Sequence, residues 1–91
     1  MKITVTYFAR PGRREEFLHR VVTAGILSAI REEDGCLRYD YYLSCQNEEE
    51  ILLLEEWESE AHQRLHMEQE HMKRLMDIKN DCIAETRVQK D

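Results

Sequence analysis

The chain has 91 residues, 35% of them charged and 42% hydrophobic, with a formal net charge of −6. So short a chain buries a modest core and is expected to associate, and its acidity argues against nucleic acid or an anionic membrane as a partner. The opening Met1-Lys2-Ile3-Thr4-Val5 alternates and soon meets charge, so no signal peptide, transit sequence or membrane span is expected. Cys36, Cys45 and Cys82 show no CxxC spacing and fit reduced thiols in a cytoplasm.

Ile3, Val5 and Tyr7 alternate with Lys2, Thr4, Thr6 and Phe8, the period of a first strand, which Pro11-Gly12 ends. From Arg13 to about Glu33 the period is helical, with Phe17, Leu18, Val21, Val22, Gly25, Ile26 and Ala29 on one side. Gly25 costs about 1 kcal/mol of helix propensity and is read as allowing close approach to a sheet. Glu33-Asp34-Gly35 stops this helix. Cys36 to Cys45 is a second strand, with Leu37, Tyr39, Tyr41 and Leu43 on one face and Arg38, Asp40, Tyr42 and Ser44 on the other. Gln46 to Glu50 turns the chain into a third strand, Ile51 to Trp57. Ser59 is a good N-cap for a second helix running to about Lys79, and Cys82 to Val88 forms a fourth strand.

The order βαββαβ predicts an α+β, ferredoxin-like domain over residues 1–91, with both helices on one face of a four-stranded antiparallel sheet. The third strand then makes a demand. Leu52 and Leu54 point one way and Ile51 and Leu53 the other, and two helices cover only one face. A second copy of the sheet is the simplest cover. A face-to-face homodimer is expected, with Ile51 and Leu53 assigned to the uncovered side and the pocket placed between the two sheets.

Indole, imidazole and carboxylate gather in one stretch, Glu55-Glu56-Trp57 through His62, His66 and His71. On an unbroken helix, His71 lies about 140° round from His66, so one straight helix cannot aim both at the same atom. A break near Gln69-Glu70 would bring His71 back, but no Pro or Gly marks one. The HExxH metal pattern, a glycine-rich phosphate loop, the Rossmann fingerprint and a hydrolase triad are all absent, so no metal is expected.

Gly35-Cys36-Leu37-Arg38-Tyr39-Asp40, then Glu55-Glu56-Trp57, then Ala61, His66 and His71 together resemble the antibiotic biosynthesis monooxygenase family. The resemblance implies a dimeric α+β barrel of ferredoxin-like subunits. Members include cofactor-free monooxygenases of quinols and polyketide phenols, haem-degrading enzymes and an autoinducer-processing isomerase. Trp57 and His66 match the tryptophan and histidine that the family uses around its pocket, and His71 matches a second recurrent histidine. Haem-degrading members carry an asparagine on the first strand, where Lys2 to Ala9 has none. Autoinducer-processing members carry Asn-His late in the first helix, where this chain has Ala24-Gly25-Ile26-Leu27. Many members place a proline before the second histidine, where Glu70 stands here.

The resulting expectation is a monooxygenase for a small electron-rich phenol or quinol, needing no cofactor because the substrate supplies the electrons. His66 is the candidate base, since imidazole titrates near neutrality. Trp57 and Tyr42 are expected to wall the ring, with Asp40 or Glu55 hydrogen-bonding a hydroxyl or orienting the imidazole. Two alternatives use the same site: an isomerase or tautomerase, and a non-catalytic dimer that binds a small ligand.

Overall fold

The computed structural model describes residues 1–91. The elements are β1 (Lys2–Ala9), α1 (Arg14–Thr23), α2 (Ile26–Arg31), β2 (Cys36–Leu43), β3 (Glu50–Trp57), α3 (Glu60–Met67), α4 (Glu70–Cys82) and β4 (Ile83–Lys90). The strands form one antiparallel sheet in the order β2-β3-β1-β4. This is the expected ferredoxin-like α+β arrangement, with each expected helix divided in two.

Alternation along β1 sends Ile3, Val5, Tyr7 and Ala9 into the core, and β3 pairs with it so that Ile51, Leu53 and Trp57 join them. Phe17 and Val21 of α1, Ile26 and Ile30 of α2, and Leu75 and Ile78 of α4 cover this face. The third strand therefore has the opposite polarity to that expected. Ile51 and Leu53 meet the helices and are fully buried, whereas Leu52 and Leu54 face the uncovered side and are half-buried. The pattern of β3 shows two apolar rows but contains nothing to say which one the helices cover.

Gly25 also acts differently from the expectation. It has φ +76 and ends the helical run between α1 and α2, with no atom close to where a Cβ would stand. The left-handed backbone, rather than a close approach to the sheet, is what requires glycine there. Because the axis changes at this point, Val22 is exposed while Ile30 becomes core.

The second break, between α3 and α4, has no glycine or proline. Glu68 closes α3, and Gln69 is extended at φ −69 and ψ 146 before α4 begins at Glu70. Beyond α4, β4 is exposed along most of its length.

Candidate active site

The site is assembled where the start of β2, the end of β3 and the two halves of the broken helix meet. Ser59, extended, caps α3 by accepting the His62 backbone N–H at 3.3 Å, and its hydroxyl lies 2.7 Å from His62 Nδ1. The His62 ring covers Gly35, where a Cβ would come within 2.3 Å of the ring. Gly35 is thus needed both for its φ of +81 and for this contact. The contact fixes α3 against the turn preceding β2, so His62 has a structural task in fixing that register.

One turn later His66 is buried, with 1% of its side chain exposed. Its Nδ1 lies 2.9 Å from Glu33 Oε2, and His71 Nε2 lies 2.7 Å from the same oxygen. Glu33 is itself 8% exposed. A carboxylate only accepts, so the two imidazole nitrogens facing Glu33 carry the protons. In the neutral ring this tautomer leaves the lone pair on Nε2, the nitrogen a general base would use. The break at Gln69 is what lets both rings reach one carboxylate. Glu33 was no candidate in the sequence, where it reads as part of the helix stop. Its only signal is an acid two residues before the family's Gly35.

Trp57 is fully buried and stacks on His66, with centroids 4.4 Å apart and planes at 34°. Its Nε1–H donates to Glu55 Oε1 at 3.0 Å. Trp57 supports His66 and Glu55 from behind and does not form the wall of the cavity, contrary to the expectation. Burial pushes the Glu55 carboxyl above the usual range, while the Trp57 bond and the nearby His66 pull it back.

In front of these groups lies a cavity of about 440 Å³ between α3, α4 and the β1–β4 half of the sheet, under the helices and not between two sheets as expected. Ile3, Val5, Leu75, Met72, Met76 and Val88 give it apolar walls. His66, Glu55, Tyr7, Tyr39 and Lys79 are among its other lining residues and bring polar groups to it. Burial raises the Tyr7 and Tyr39 phenols well above their ordinary range, so both stay protonated and can donate. A small apolar pocket with a few convergent polar groups is the usual form of a ligand site.

The family model described as Antibiotic biosynthesis monooxygenase matches residues 1–77. The chain belongs to that family. It is 32% identical over 62 residues to the protein named Putative monooxygenase YcnE from Bacillus subtilis (strain 168), covering 68% of this chain and 63% of that protein. The matched stretch thus falls short of two thirds of the relative's length. A crystal structure of PA3566 from Pseudomonas aeruginosa superposes with a TM-score of 0.84 at 25% identity, covering 97% of this chain and 87% of that one. A crystal structure described as an antibiotic biosynthesis monooxygenase gives a TM-score of 0.84 at 24% identity, covering 99% and 95%, and supports the fold.

Of the residues to which the family resemblance pointed, His66, His71 and Trp57 come together, and Glu55 joins them through Trp57. Asp40 and Tyr42 do not. They pair with Leu54 and Leu52, whereas Tyr39 pairs with Glu55, and strand alternation puts them on the opposite side of the sheet from His66. There Asp40 binds Arg31 at 2.9 Å and Arg38 at 3.0 Å, and the Tyr42 hydroxyl accepts from Arg38 at 2.7 Å. Tyr39, one residue away, occupies the cavity position that had been expected for Tyr42.

Two groups of side chains bring donor atoms near enough for a metal: Asp34, Glu58 and His62, and Glu16, Asp81 and Cys82. In the second, Arg13 and Arg20 already neutralise Glu16 and Asp81. Neither group faces the cavity, and in the Glu33 cluster a carboxylate oxygen occupies the point that both imidazoles share.

Proposed function

We propose that the chain is a cofactor-independent monooxygenase of a small electron-rich phenol or quinol. The observation that supports this most is the buried Glu33–His66 pair, which holds an imidazole base at the wall of an apolar cavity. His66 Nε2 removes a proton from the bound hydroxyl, and Glu33 offsets the charge that forms on the ring. Electrons from the resulting anion reduce dioxygen. One oxygen atom enters the substrate as a carbonyl and the other leaves as water, so the four electrons that dioxygen accepts all come from the substrate. The apolar walls suit this step, since they keep water from the anion. Tyr39 and Tyr7 replace Tyr42 and Asp40 as the groups that position the ring.

The acting form in this reading is a cytoplasmic homodimer. Its interface is the uncovered sheet face, where Leu52, Leu54 and Phe8 form the apolar centre. No helix is long and apolar enough to cross a membrane.

The test is oxygen uptake against a panel of hydroquinones and naphthols. We expect one dioxygen consumed per product and no product under argon. Product formed equally under argon would replace this reading with an isomerase using the same base. Binding without any product would leave a ligand-binding dimer.

A further inference from the structure

The chain is acidic overall and has only four lysines, Lys2, Lys73, Lys79 and Lys90. Three of the four line the single cavity in front of His66, and no arginine does. Lys73 and Lys90 are exposed and stand at its rim. Lys79 is half-buried and deeper, its Nζ 4.9 Å from the centre of the Tyr7 ring. Lys73 has an exposed contact with Glu70 at 3.4 Å, but Lys79 and Lys90 have neither an ion pair nor a hydrogen bond.

An ammonium held partly out of water without an acceptor is costly, and folded chains normally give it one. The Tyr7 ring face offsets part of that cost. Glu55 faces the same cavity and attracts Lys79, yet the two carry no direct pair between them. Burial accordingly holds the Lys79 ammonium below its ordinary range, with the charge of Glu55 opposing that effect. The space between a donor-seeking Glu55 and an acceptor-seeking Lys79 is where a ligand would satisfy both.

We infer that the cavity takes an anionic substrate: a hydroxylated ring bearing a carboxylate or phosphate group, with the anion received by Lys79 under the rim lysines. The hydroxyl then points to His66 and Glu55 at the opposite wall. This rests on reading the cavity as the substrate site, but it does not need oxygen chemistry. It explains why an acidic protein collects its lysines around one apolar opening. It also gives a steering field for an anion that the net charge of −6 would otherwise repel.

Calorimetry on the full chain can decide it without turnover. The probes are 3,4-dihydroxybenzoate, its neutral amide 3,4-dihydroxybenzamide, and 4-hydroxyphenyl phosphate, which separates the two anion types. At least one acid should bind about tenfold more tightly than the amide, as expected for a charge-assisted hydrogen bond. Lys79→Gln, checked for fold by circular dichroism, should remove that preference and leave amide binding in place. Lys73→Gln and Lys90→Gln should each weaken acid binding by about two- to threefold and reduce its salt dependence. Equal or tighter binding of the amide by the wild-type chain overturns the inference, with no variant needed. So does an acid preference unchanged in Lys79→Gln, or no binding of any probe at millimolar concentration. An acid preference without oxygen uptake keeps this inference and removes the monooxygenase reading. Oxygen uptake by neutral quinols with no acid preference does the reverse.

Discussion

On the helix side of the sheet, β3 presents Ile51, Leu53 and Trp57 in full burial and Glu55 toward a cavity. On its other side the same eight residues present Glu50, Leu52, Leu54 and Glu56, all half-buried and without a covering layer. Leu53 and Leu54 are neighbours of one type, and only the face distinguishes them. The difference shows where an ionisable group carries functional meaning. Asp40 on the other face is matched by two arginines of its own chain, so its charge is already satisfied. His66 is buried and Glu33, Glu55 and Lys79 are half-buried on the helix side, where ionisable groups are costly to hold and so mark a candidate site.

The contrast is broken most directly by putting one charge on each face. Leu53→Asp buries an unpaired carboxylate and should cost more than about 4 kcal/mol, enough to leave an unfolded chain by circular dichroism. Leu52→Asp/Leu54→Asp should stay folded and shift light scattering from dimer to monomer. Unfolding by both variants would show that the two faces are equally buried.

Catalysis should show the same division at a smaller energy. His66→Ala should lower the turnover rate by about 10²–10⁴-fold, the usual contribution of a general base. Tyr42→Phe and Asp40→Asn, on the side of the sheet away from His66, should leave it within about twofold, because neither side chain lines the cavity. If the open-face variants lost activity and His66→Ala did not, the site would belong to the interface between sheets.

Glu33→Gln sharpens the comparison within the helix side. The amide keeps an oxygen at the point both imidazoles share but loses the negative charge and sets an NH2 at the oxygen 3.1 Å from His66 Nδ1, so the tautomer is held less firmly and the rate should fall by about tenfold or more. Nitrogen NMR of the imidazoles should then show a mixed His66 tautomer. A rate loss with the tautomer unchanged would assign Glu33 a packing role only.

The smallest effect concerns Glu55. Its carboxyl is raised by burial, so the folded state favours the neutral form and stability declines as pH rises from the ordinary glutamate range through the raised value. Glu55→Gln keeps an oxygen for Trp57 Nε1–H and never ionises. It should raise the melting temperature by a few °C at neutral pH, and the gap should close as pH falls. A gap that widened toward acid would reverse the sign and show that the folded state favours the carboxylate.

How much of this was legible follows from the range of the signals. Gly25 stood out locally but was read as a close approach within one helix, whereas the chain breaks there; its φ of +76 is a backbone demand that glycine meets whatever it packs against. The break at Gln69 has no such residue. It exists because Glu33, His66 and His71 satisfy one another across 33 and 38 positions of sequence, and that long-range gain outweighs local helix preference. For the same reason Glu33 looked like part of a turn until the fold placed it between two imidazoles.

From the sequence alone came the order of elements, the pairing of residues on strand faces, the family resemblance, and the grouping of Trp57 with His66. These rest on periods of 2 and 3.6 and on short spacings, which the chain carries locally. Tertiary structure alone decided that Ile51 and Leu53 lie beneath the helices, that Asp40 and Tyr42 lie across the sheet from His66, and that three lysines share one cavity. Periodicity states which residues share a face. Which face is covered depends on packing between segments far apart in the chain, and no local pattern contains it.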